Sequence, residues 1–154
     1  MDEHVLREQL TAQLGGGQAY TSIAEALRGF SVDRAGSKPQ GVTHTAWEIL
    51  EHMLIAQEDI LRFSTDPDYR SPVWPDDYWP NVNVQEESDA WHRVVGTFLA
   101  DLRQVRDLAE DSDRDLFAPI PHGTGQTLLR EILLVADHNA YHLGQIMLLR
   151  RAVE

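Results

Sequence analysis

The sequence predicts an all-α fold, a four-helix bundle. Apolar residues recur at intervals of three and four along most of the chain, the period of helices that bury one face. No stretch alternates apolar and polar residues as a half-buried strand would. Clusters of glycine and proline divide the 154 residues into four helical regions, and capping residues mark where several of them start.

The first region is broken. Residues 2–14 and 20–29 read as helix, but Gly15, Gly16 and Gly17 between them cost too much backbone entropy to continue one. Ser22 with Glu25 is a capping box that restarts the helix ahead of Ala26 and Leu27. From Ser31 to Val42 the chain carries Gly36, Pro39 and Gly41 and reads as loop. A second capping box, Thr45 with Glu48, opens a helix through Phe63 that must stop before Pro67. Between Ser64 and Asn83, Pro67, Pro72, Pro75 and Pro80 forbid a helix, while Tyr69, Trp74, Tyr78 and Trp79 make the stretch too aromatic for a solvated linker. It is expected to pack on the bundle. Asn83 and Glu86 cap a third helix, on which Trp91, Val94, Val95, Phe98, Leu102 and Val105 form one buried stripe. The breaker PIPHGTG then delays the fourth helix to Thr127, from which it runs to Arg150.

A chain of this length holds one domain with a real core, so residues 1–154 read as a single domain. The net charge of -12 repels phosphate backbones and gives no attraction to anionic lipid, so neither nucleic acid nor a membrane surface is an expected partner. No window approaches the ~20 apolar residues of a membrane span, and MDEHVLREQL lacks the basic and apolar regions of a signal peptide. The expected setting is the cytoplasm. The chain has no cysteine, which removes disulfides, thiol nucleophiles and thiolate ligands, so any metal must be held by nitrogen and oxygen.

The stretch DHNAYHLGQI puts two histidines four apart on the fourth helix. With seven histidines in the chain such a pair is common by chance, and its position is what gives it weight. Leu128, Val135, His138, His142, Ile146 and Leu149 fall within about 80° of arc, so both imidazoles share the apolar stripe. Side chains at this spacing have Cβ atoms about 5–6 Å apart and can reach one ion at about 2.0–2.1 Å. Two ligands undersupply a first-row metal, and a third has to come from another helix: His4, His44, His52, His92 or His122. His52 lies at the edge of the apolar face of its helix, beside Ile49, Ala56 and Ile60. His44 falls on the opposite side with Glu51, Glu58 and Arg62, just before the Thr45 cap, and reads as an exposed helix-start residue. His92 is on the polar side of the third helix and His4 is close to a terminus. On residue chemistry alone, buried histidines that bond a carbonyl and bind nothing stay an equal alternative.

A metal site that performs chemistry needs a proton acceptor. Glu48 and Glu131 lie within about 40° of the candidate ligands on their own helices, and Asp59 and His122 complete the candidates for base or supporting partner. The residue after His138 is Asn139, so the glutamate of the HExxH mechanism is excluded.

WEILEHMLIAQEDILRF, SPVWPDDYWP and PHGTGQTLLREILLVADHNAYHLGQIMLLRR together resemble the DinB-like (DinB/YfiT) superfamily of metal-dependent enzymes, over Tyr20 to Arg151. The most specific elements are Trp47 to His52 and the HxxxHxGQ run from His138 to Gln145. The resemblance implies a four-helix bundle, commonly a homodimer, with a long crossing connection between its second and third helices that residues 64–83 match in length. It implies a divalent metal between helices held by His52, His138 and His142; the ligand type permits zinc or nickel first, with iron, manganese or copper as further options. The implied activity is that of a metal-dependent hydrolase or a transferase of a low-molecular-weight thiol, acting on a small-molecule substrate. The alternative is a metal-bound ligand-binding or stress-response protein without turnover.

Overall fold

The computed structural model describes residues 2–80 and 89–154. Helix α1 (Glu3–Gly15) opens where Oδ1 of Asp2 accepts a hydrogen bond from the His4 amide. It ends where Gly16 and Gly17 take φ values of 64° and 84°, a region that side-chain-bearing residues avoid. Helix α2 (Ile23–Arg28) is shorter than residues 20–29, because the capping box acts at Ser22: its hydroxyl accepts from the Glu25 amide while Glu25 accepts from the Ser22 amide.

Helix α3 (Ala46–Thr65) begins at the Thr45 and Glu48 box, with bonds of 2.7 and 3.1 Å. It runs two residues past Phe63, and in that last turn the hydroxyls of Ser64 and Thr65 bond back to the carbonyls of Ile60 and Leu61. Helix α4 (Ala90–Glu110) follows Asp89, whose side chain makes no capping bond, and the proposed cap at Asn83 and Glu86 lies outside the described residues. Helix α5 (Leu128–Val153) starts at Thr127, whose side chain accepts from the Arg130 amide, and extends three residues beyond Arg150. Among the described residues, the two connections expected as loop each contain one 3-10 turn, Val32–Arg34 and Asp76–Tyr78. Among the described residues there is no strand, so the all-α class expected from the periodicity is the class observed.

α3 packs against α4 and α5, and α1 packs against the same two helices. The four long helices therefore meet around one core that includes Leu14, Leu50, Met53, Phe98, Leu143 and Ile146, all fully buried. Each such side chain stabilises the fold by roughly 1.5–3 kcal/mol. Trp91 is buried among them, donating its indole N–H to the Leu27 carbonyl at 3.1 Å and packing on Phe30. No helix among the described residues is long and apolar enough to cross a membrane.

The contact between α3 and α5 carries the site, and a buried polar bridge runs beside it. Gln57 of α3 donates to the Phe98 carbonyl of α4 at 2.8 Å and accepts from the side-chain amide of Asn139 of α5 at 2.9 Å. Both side chains are about 1 % exposed, so the hydrogen bonds form without competition from water. Asn139 is the neighbour of His138, and Gln57 is five residues on from His52.

Candidate metal centre

His52 comes from α3, and His138 and His142 come from successive turns of α5. One nitrogen from each ring lies within 4.8 Å of the other two, and Nε2 of His52 is 3.1 Å from Nε2 of His138. Nitrogen ligands at 2.0–2.1 Å in a tetrahedral arrangement stand roughly 3.3 Å apart, so the cluster is sized for a single ion.

The tautomers also suit a metal. Nδ1 of His52 donates to the Tyr78 carbonyl at 2.7 Å, and Nδ1 of His142 donates to Oε1 of Gln145 at 2.7 Å. Both acceptors are oxygens, so the ring proton sits on Nδ1 and the Nε2 lone pair is left free to ligate. Burial, and after it the nearby His142 and His52, push His138 down to about 3. Burial lowers His52 and His142 as well, against the opposing effect of their bonds to Tyr78 and Gln145. All three rings are neutral at pH 7, the form that binds metal.

These nitrogens face a cavity of about 760 Å³. Its walls are mostly apolar, with Ile49, Trp74, Trp79, Tyr141, Leu148 and Leu149 among them, and Trp74, Tyr141 and Leu148 remain largely exposed around it. Trp79 is nearly parallel to His52, with ring centroids 4.1 Å apart, and nearly parallel to His44 at 3.8 Å. Two rings that close cannot share one face of the indole without overlapping, so Trp79 is held between the two histidines.

His44 does stand at the start of its helix, but Trp79 half-buries it, leaving a side-chain exposure of 34%, and it lines the cavity. Its helical angle could not show this, since the covering indole arrives from a distant loop. Glu48 accepts the Thr45 amide at 2.7 Å and lies 3.9 Å from Nδ1 of His44. Glu131 is buried, accepts from Arg130 at 2.6 Å, and is two turns before His138, about 10 Å along the helix axis. Asp59 accepts the Tyr78 hydroxyl at 2.6 Å. His122 bonds the Phe63 carbonyl, eleven residues along α3 from His52. His4 and His92 are exposed. The structure thus brings together His52, His138 and His142, adds His44 to the same cavity, and leaves the other three histidines elsewhere.

Residue chemistry missed the groups that orient the rings. Gln145 was detectable, since it stands three residues from His142 and shares its helix face. Tyr78 contributes a backbone carbonyl, for which a sequence holds no side-chain signal.

No curated protein and no solved structure matches the chain. A family model described as the DinB superfamily matches residues 17–146, a span that includes all three clustered histidines and both oxygen acceptors that orient them. With that match over most of its length, and with a cluster able to hold a divalent metal where the resemblance places one, the chain belongs to the DinB superfamily.

Proposed function

We propose that this protein binds one divalent transition-metal ion through His52, His138 and His142 and uses it to activate a low-molecular-weight thiol, or else water, against a small electrophile. The observation that carries this reading is the convergence of three neutral imidazoles on an open, largely apolar cavity. When bound, an ion with three neutral nitrogen ligands supplies Lewis acidity at its remaining position and favours deprotonation of a thiol or water. Zinc and nickel suit the donor set, and iron or manganese are further options.

The chain's own residues prepare the site. The Tyr78 carbonyl and Gln145 hold two rings in the ligating tautomer, and Trp79 covers one face of His52. Trp74, Tyr141 and Leu148 offer an apolar surface to the hydrocarbon part of an electrophile. His44 lines the same cavity with Glu48 behind it, and this pair is the acid-base group we assign to the site. Thiol transfer is the first reading. A free thiol ionises near pH 8.5 and free water far higher, so the thiol asks less of the ion and of a base. Glu48 is occupied with the Thr45 amide and Glu131 with Arg130, which leaves neither carboxylate free to face the cavity alone.

Elemental analysis of the tag-free protein tests the centre. About one equivalent of metal is expected in the parent and none in a His52→Ala, His138→Ala, His142→Ala variant. No metal in the parent after incubation with excess zinc and nickel would remove the proposal. The loaded parent should then couple 2-mercaptoethanol to 1-chloro-2,4-dinitrobenzene faster than the triple variant. Ester hydrolysis without any thiol effect would favour water as the nucleophile instead.

A further inference from the structure

Tyr78 meets α3 at two places. Its backbone carbonyl accepts from Nδ1 of His52 at 2.7 Å, and its hydroxyl donates to Oδ2 of Asp59 at 2.6 Å. His52 and Asp59 are seven residues apart, two helical turns or about 10 Å, so the residue lies along α3 and is held at both ends. The neighbours of Tyr78 build the cavity. Trp79 follows it directly and stacks on His52, and Trp74 packs its ring edge-on against Tyr78 with centroids 5.1 Å apart. Both tryptophans line the space that the clustered nitrogens face.

We infer that Tyr78 is a positioning residue that couples the metal ligand His52 to the aromatic wall of the cavity through its hydrogen bond to Asp59. The inference rests on the reading of His52 as a ligand. The Asp59 bond seats the loop, and the seated loop presents the carbonyl that holds His52 with its proton on Nδ1. The same seating places Trp74 and Trp79 beside the site. Coupling of this kind is reciprocal: a seated loop raises metal affinity, and a bound ion, by fixing His52, favours the seated loop. The wall against which a substrate would pack is then most complete when metal is present.

Tyr78→Phe and Asp59→Ala each remove the anchor and leave the carbonyl in the chain. Zinc affinity, measured by competition with a chelator, is expected to fall about 10- to 100-fold in either variant, the range for lost support of a ligating histidine. Asp77→Ala is the control, since it breaks the bond from the Val73 amide to Asp77 within the same loop without touching Tyr78. It should stay within about twofold of the parent. A second readout needs no metal: nitrogen-15 spectra of the metal-free parent should show His52 protonated on Nδ1, and both variants should show mixed tautomers.

Unchanged zinc affinity or an unchanged tautomer in Tyr78→Phe and Asp59→Ala would overturn the inference, as would an equal loss in Asp77→Ala. If the parent takes up no zinc, the metal reading fails, and the tautomer comparison alone decides the role of Tyr78. Tyr78→Phe deletes one oxygen from a half-buried loop residue and leaves the core intact, so the comparison is made on a folded protein.

Discussion

Nε2 of His52 and Nε2 of His138 lie 3.1 Å apart although 86 residues separate them in sequence. Because His52 keeps its ring proton on Nδ1 for the Tyr78 carbonyl, its Nε2 presents a lone pair where the two rings meet. The packing of α3 on α5 is what brings the two rings together.

The first consequence is a pH dependence of the metal-free protein. His138 ordinarily titrates near 6.5 and is held at about 3 by burial and by the neighbouring imidazoles. Its contribution to stability is complete above about pH 6.5, where the ring is neutral in folded and unfolded chains alike. It is lost as pH falls from about 6.5 towards about 3, since the unfolded chain takes up a proton that the folded one refuses. His52 and His142 are shifted in the same direction. Urea midpoints should drop below about pH 6.5, and His138→Leu should show a shallower drop. Parallel curves for the two proteins would refute the assignment.

His44 shares the cavity but not the three-histidine cluster. His44→Ala is expected to keep the metal stoichiometry of the parent while altering tryptophan emission, because one face of Trp79 becomes exposed. The lost stacking corresponds to about 0.5–1.5 kcal/mol. Loss of the metal equivalent in this variant would make His44 a ligand and contradict the geometry.

Gln57 bridges three helices from inside the core. Gln57→Leu leaves the Asn139 amide buried with no acceptor, a cost of about 1–3 kcal/mol. Asn139 already has a buried side-chain oxygen without a partner, so it has little with which to compensate. Adding Asn139→Leu should recover part of the loss, since both polar groups are then gone. A double-mutant cycle by urea denaturation measures this, and strict additivity would show that the two side chains do not interact.

Trp91 anchors the other side of the bundle, buried against Phe30 and Trp47 and bonded to the Leu27 carbonyl. Trp91→Ala should cost about 3–5 kcal/mol in equilibrium unfolding. Trp91→Phe should cost less, because one aromatic ring is retained and the loss is confined to the N–H donor and the rest of the indole. Equal costs would mean that the hydrogen bond, and not the volume, dominates at this position.

Much of this was legible from residue types and spacing. The capping boxes at Ser22 and Thr45 set the starts of α2 and α3, because a cap is a local interaction between residues three apart. The stripes of α4 and α5 identified buried faces from helical period alone. Helix ends were less legible: α3 runs on to Thr65 and α5 to Val153, since nothing nearby forbids another turn until the proline or the end of the chain.

The pairing of His138 with His142, and the choice of His52 over His44 as their partner, follow from helix geometry and from the family resemblance. Both are periodic or motif properties carried in the chain itself. What only the tertiary structure decided are the contacts made across distance. Trp79 enters between His44 and His52, Tyr78 turns its carbonyl to one ring and its hydroxyl to Asp59, and Gln57 meets Asn139 across the core. Helical period states which side of a helix a residue occupies. It does not state which loop covers that side or where a distant backbone carbonyl points, and those depend on how α3, α5 and the aromatic loop pack together.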